Sequence, residues 1–389
     1  MTSNERRAQR SLTRRTLGWG VAFLAALALL WIGIVVLLDP DAITGMIVWL
    51  YELVGLRGQA FAIAERGIQE GFIRLVTVVF AILVGVGGVW FLFITGNALI
   101  EASPSRARRH LRPWLFILPA AAFLGVYLVF PLVETIRLSV TEDGGFGDNY
   151  SFVLTDPAMQ IAMRNNALWL VIGTTGSVVI GLLFAALVDR VKREAFAKTF
   201  VFLPLAISAV GAAVIWRFVY TWRPPGAGQI GMLNAVWTAA GGEPVAFLQA
   251  VPWNNLFLIL IMIWIQTGFA MVVLSAALKG VPTELVEAGR IDGATEIQLF
   301  FRVVLPTIRG ALITVATTIF IAILKVFDIV FVMTGGRFET EVIANRMFNE
   351  MFRFRNFGRA SALAVVLLIA VIPIMIVNIR NLRRQGIGT

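Results

Sequence analysis

Lys325 and Asp328 stand three residues apart inside a long apolar run, where an ionisable side chain is costly enough to require a purpose. On a single helix that spacing puts them on one face, where they neutralise each other in part. Two readings stay open: a polar patch lining a path through the membrane, or an internal ion pair tying two spans together. Conventional catalysis has little to work with elsewhere. The chain has no cysteine, hence no disulfide framework, thiolate metal site or Cys nucleophile. His110 is the only histidine and sits among arginines, and one imidazole does not build a metal site. No nucleophile-base pair or carboxylate dyad stands out. Gly226-Ala-Gly228-Gln-Ile-Gly231 fits G-x-G-x-x-G but follows Arg223-Pro-Pro rather than a strand, so it is not read as a dinucleotide site. None of the lysines at 192, 198, 279 and 325 lies in G-x-x-x-x-G-K-[ST], so the chain does not cradle ATP by that route.

The elements that must position these residues are membrane helices. Of 389 residues, 58% are hydrophobic and only 14% charged, which marks an all-α, polytopic membrane protein. The uncharged run from Leu17 to Leu38 is too long for a signal-peptide core and ends in Asp-Pro-Asp, so it reads as a retained first span. Seven more candidates follow at 75–100, 113–136, 165–188, 199–219, 254–278, 310–334 and 360–379. Each is near the twenty residues needed to cross about 30 Å of hydrocarbon. Eight spans place both termini on one side. With that side inside, the inner segments hold twenty Lys and Arg and the outer ones ten, so both termini are expected in the cytoplasm. The net charge of +10 is then a topology signal and needs no nucleic acid.

Between the sixth and seventh spans lies a polar stretch, 282–306. Thr283 is placed to cap a first helix over Glu284–Ile291, with Glu284 and Glu287 in its early turns, where carboxylates suit the helix dipole. Asp292 and Gly293 stop it, since glycine accepts the positive φ of a sharp reversal. A second helix restarts near Ala294 or Thr295 and carries Ile297, Phe300, Phe301 and Val304 to Leu305-Pro306. The expected shape is helix, elbow, helix, on the cytoplasmic side.

The run Glu287-Ala288-Gly289-x-x-Asp292-Gly293-Ala294, then Phe300 or Phe301, then Leu305-Pro306, resembles the EAA loop of ABC-importer permeases of the sugar-transport (MalF-like) group. Gly289 stands where the pattern usually has alanine. The resemblance covers roughly residues 113 to 389 as a six-helix type I permease core, leaving 1–112 as an extension with two spans. The short connection from 137 to 164 lacks a large folded insertion, which brings the pattern nearer to the alpha-glucoside permeases. The resemblance implies a bacterial inner-membrane permease subunit that moves a sugar, an alpha-glucoside or disaccharide, into the cytoplasm and is not itself an enzyme. Its implied partners are a second permease subunit, two copies of an ATPase subunit holding ATP and Mg, an extracytoplasmic solute-binding protein and the bilayer. The elbow would sit in a cleft of the ATPase. Glu287 would make a charged contact there, Asp292 would stop the helix, and Ala288, Gly289, Gly293 and Ala294 would allow close approach. Phe300, Phe301 and Leu305 would anchor the lever to the membrane helices, with Pro306 closing its second helix. Ser208, Trp216, Trp264, Gln266, Thr267 and Phe269 supply aromatic faces and neutral donors suited to a sugar ring, at positions similar to the family's binding region; packing between helices is the alternative. The rival function is an ion-gradient-driven secondary transporter with Lys325 and Asp328 as its relay.

Overall fold

The computed structural model describes residues 87–88, 90, 93–189 and 191–384. All regular elements among them are helical. The expected span Leu17–Leu38 and most of 75–100, and with them most of the 1–112 extension, lie outside the described residues. The chain falls into two compact units, Met1–Pro131 and Leu132–Thr389.

Long apolar helices form α1 (Ala107–Thr141), α3 (Pro157–Val188), α7 (Asn254–Lys279) and the first part of α13 (Phe357–Arg384). Shorter helices fill the connections: α2 (Gly145–Thr155), α6 (Met232–Ala239) and α12 (Ile343–Phe348). Two further apolar stretches are bent. α4 (Glu194–Ala206) and α5 (Ala209–Val219) meet at 101°, and α9 (Glu296–Thr307) and α10 (Arg309–Leu324) at 71°. Counting each bent pair once gives up to six crossings among the described residues. The elbow's first helix is α8 (Thr283–Ile291), and α11 (Asp328–Met333) follows α10.

Two expected spans are not continuous. The run 199–219 breaks because Pro204 lacks an N–H and Ser208 takes an extended conformation to cap α5, its hydroxyl accepting from Gly211 N at 3.1 Å. The run 310–334 breaks at Lys325, so Lys325 and Asp328 do not share a helical face.

α7 is apolar on every side and is accordingly the buried centre of the second unit. Between apolar helices in lipid the gain comes from close contact rather than water release, and small residues allow that contact. A Cβ at Gly181 would fall 2.4 Å from the Ala270 Cβ, and one at Gly176 would fall 2.6 Å from Ile263 Cδ1. α3 therefore lies flush on α7. Trp169, Leu258, Ile261, Met271, Leu274, Ile319 and Ile323 fill the seam between α3, α7 and α10.

Candidate functional site

The elbow is built from local rules. α8 begins after Pro282 with Thr283 as its first helical residue, so Thr283 does not cap as expected. It ends in a full Schellman motif: Gly293 N donates to Arg290 O and Ala294 N to Gly289 O, each at 3.0 Å, with Gly293 at φ +80°. α9 then opens with a capping box, Gln298 N donating to Thr295 Oγ1 at 3.4 Å and Thr295 N to Gln298 Oε1 at 2.9 Å. Arg290 and Glu296 pair across the bend at 3.0 Å.

With the backbone satisfied locally, the outward side chains are free. Glu287 and Ala288 are exposed, and Glu287 makes no ion pair or side-chain hydrogen bond among the described residues. Ile291 is 86% exposed, Ile297 72% and Phe301 60%, an apolar rim around the bend. Gly289 faces inward, where an added Cβ would meet Leu299 Cδ2 at 2.5 Å. Its smallness thus serves the packing of α8 on α9. Leu299, buried to 2%, is the anchor that pattern reading missed, while Phe300 and Leu305 are half-buried and Pro306 is exposed. Phe300 and Phe301 pack edge to face, centroids 5.4 Å apart.

The residues expected along the path divide. Trp216 and Trp264 come together edge-on at 5.8 Å. The Thr267 hydroxyl is spent on Ile263 O at 2.7 Å and the Ser208 hydroxyl on its cap. Gln266 and Phe269 are half-buried, Phe269 against the core. Lys325 and Asp328 are both exposed, on either side of the α10–α11 break, and no ion pair joins them. The internal-pair reading fails on this geometry. α11, which starts at Asp328, packs against α5, which carries Trp216. Around Gly226 the chain is a loop, Gln229 Nε2 donating to Arg223 O at 2.8 Å, with no strand before it.

Residues 177–383 match the family model described as "Binding-protein-dependent transport system inner membrane component". The chain belongs to that family. It is a multi-pass inner-membrane permease subunit of an ATP-binding cassette importer, and as such works with other chains. It is 53% identical over 275 residues to the osmoprotective compounds uptake permease protein GgtC of Synechocystis sp., covering 70% of this chain and 99% of that one. It is 50% identical over 288 residues to the alpha-glucoside transport system permease protein AglF of Rhizobium meliloti, covering 73% and 86%. In fold it is similar to a chain of a bacterial alginate ABC transporter solved with a pentasaccharide-bound periplasmic protein: TM-score 0.62, 21% identity, covering 72% of this chain and 97% of that one.

Two polar constructions in the permease escaped sequence reading. At the far end of α10, the loop 334–343 is held by asparagines. Asn165 Nδ2 donates to Glu339 O (2.7 Å) and Glu341 O (2.8 Å), Asn254 Nδ2 to Phe338 O (2.6 Å) and Asn255 Nδ2 to Glu339 O (3.2 Å). Asn166 accepts from Ile343 N at 2.8 Å and donates to Leu324 O at 3.0 Å, satisfying a carbonyl that the break at Lys325 releases. Phe338 and Glu339 sit at φ +58° and +56°, a left-handed conformation that costs a side-chain-bearing residue about 1–2 kcal/mol and persists only under such restraint. Burial pushes the Glu341 carboxyl above its usual range, although Asn345 and Val342 N donate to it. Burial likewise raises Glu350, which pairs with Arg346 at 2.9 Å. Arg346 and Arg359 stack on the Phe152 ring, so they brace the fold, while Arg337, Arg353 and Arg355 remain exposed.

At the other end of α7, Ser275 donates to Asp189 at 2.7 Å and receives the Lys198 ammonium, which also pairs with Asp189 (2.7 Å) and Glu194 (2.6 Å). Lys279 joins through Glu194 at 2.5 Å. The network ties the ends of α3 and α4 to α7 just before α7 runs into the elbow. Doublets of asparagine within apolar runs, and acid-base clusters at helix ends, were the available signals.

Proposed function

We propose that the permease carries a sugar of the alpha-glucoside or disaccharide class into the cytoplasm, as one half of a heteromeric pair, with both termini inside. Two copies of a separate ATPase subunit would supply the ATP and Mg chemistry, and an extracytoplasmic solute-binding protein would deliver the sugar. The observation that carries this reading is the exposed elbow, whose backbone is closed on itself while Glu287, Ala288 and the apolar rim are left for a partner. The substrate class rests on the AglF likeness and on the aromatic pair Trp216–Trp264.

The elbow is continuous with α7 through Lys279–Pro282 and with α10 through the 71° bend. Closure of two ATPase subunits on it would therefore move the helix bearing Trp264, Gln266 and Thr267 and the helix ending at Lys325 together. Such a push selects between two packings of the core. Irregular backbone at membrane depth persists only where protein buries it or where it lines a wet cavity. The breaks at Ser208 and Lys325, both exposed, suit the lining of the sugar's path, with Lys325 and Asp328 free to hydrogen-bond hydroxyls.

The test is reconstitution of the permease pair, ATPase and binding protein in liposomes. Sugar-stimulated ATP hydrolysis and uptake are expected, both lost with Glu287→Lys although the permease still folds. Uptake by this chain alone in an ion gradient, indifferent to ATP, would instead establish the secondary-transporter reading.

A further inference from the structure

At the foot of α1, three arginines gather around one depression. Arg108, Arg109 and Arg112, with Pro113 and Phe116, line an open depression of about 500 Å³. Residues 108, 112 and 116 fall on one helix face, and Arg109 joins from the adjoining one. Arg108 is held in place: its Nη2 donates to Glu101 O at 2.5 Å and Ser103 O at 3.4 Å, yet its Nε is buried without a partner. Arg109 and Arg112 are exposed and make no ion pair among the described residues. The Glu101 carboxylate is turned to Asn97 Nδ2, at 3.0 Å.

Three guanidiniums without an ion pair among the described residues, set around one depression, are more than topology demands, since charge bias alone needs neither a cavity nor a tethered side chain. The depression opens where the apolar run of α1 begins, and Trp114 and Phe116, each 62% exposed, sit there as interfacial aromatics do. Guanidinium forks match the oxygens of a phosphate, and the exposed Phe116 and Ile117 below them offer apolar surface to an acyl chain.

We propose that Arg108, Arg109 and Arg112 bind the phosphate of an anionic phospholipid headgroup, fixing α1 at the membrane surface. The proposal is independent of the transported substrate. The test is native mass spectrometry of the full chain in detergent with phosphatidylglycerol, phosphatidylcholine or inorganic phosphate added. Each guanidinium near a lipid surface is worth about fivefold in affinity, so Arg109→Gln with Arg112→Gln is expected to weaken phosphatidylglycerol retention roughly 25-fold. Phosphatidylcholine retention stays weak in both forms. Arg193→Gln, at an exposed arginine elsewhere, leaves phosphatidylglycerol retention unchanged. The proposal is overturned if the double variant holds phosphatidylglycerol as well as the native chain does, if Arg193→Gln weakens it equally, or if excess inorganic phosphate displaces it, which would make the depression a free-anion site.

Discussion

The elbow of residues 283–307 and the loop of residues 334–343 are both reversals at the ends of membrane helices, yet they are held in opposite ways. The elbow closes its hydrogen bonds within a dozen residues, through the Schellman motif, the capping box and one exposed ion pair. The loop is held by side chains far away in sequence and buried: Asn165, Asn254 and Asn255 donate to its carbonyls, and Asn166 accepts from Ile343 N. Local closure leaves an element stiff but unattached, with its side chains available to another protein. Closure by distant buried donors welds an element to the core and fixes what lies beside it, here the break at Lys325.

The contrast can be broken by mutation, and the welded loop should suffer most. Asn165→Leu orphans the Glu341 carbonyl and leaves Glu339 O with Asn255 alone; an orphaned partner costs about 1–3 kcal/mol, so a loss at the upper end of that range is expected in equilibrium unfolding in mixed micelles. At the elbow, Gly293→Val forces a β-branched residue to φ +80° and should cost about 2 kcal/mol, with ATPase association lost while the loop end stays intact to proteolysis. Thr295→Ala deletes one cap and should cost about 1 kcal/mol on the same assay. If Gly293→Val loosens residues 334–343 as much as the elbow, the two regions are not independent and the comparison fails.

The smallest effect is a pH slope. Glu341 and Glu350 both have carboxyls raised by burial, so the folded state binds protons more tightly than the unfolded one. Their contribution is full below the ordinary glutamate value of about 4.3 and is lost as pH rises through the raised values. Glu341→Gln should flatten the fall in unfolding midpoint over that window without changing the elbow's response. A stability that rises with pH through the window, and is insensitive to Glu341→Gln, would contradict the assignment.

What could be read from sequence follows the range of the interactions. The elbow was legible because Pro282, Gly293 and Thr295 act on their own neighbours, and long apolar runs declare membrane helices by composition alone. The break at Ser208 carried signals, Pro204 and a capping serine, that hydropathy overrode. The break at Lys325 has no glycine or proline; it is stabilised at the Leu324 carbonyl by Asn166, 158 positions before Leu324, and no local rule could find it. The ionic network of Asp189, Lys198, Glu194 and Lys279 was hidden in the same way, its basic members having been counted only as topology signals. Gly289 read as a departure from a pattern until its distance to Leu299 gave it a packing role.

The proposed contact between the elbow and an ATPase subunit on the inner side of the membrane is open to direct test. Because the chain has no cysteine, Ala288→Cys introduces a unique thiol on the elbow's exposed face. In the assembled transporter that thiol should cross-link to the ATPase subunit and resist membrane-impermeant maleimide added to intact cells. Labelling from outside, or failure to cross-link while uptake proceeds, would rule out that contact.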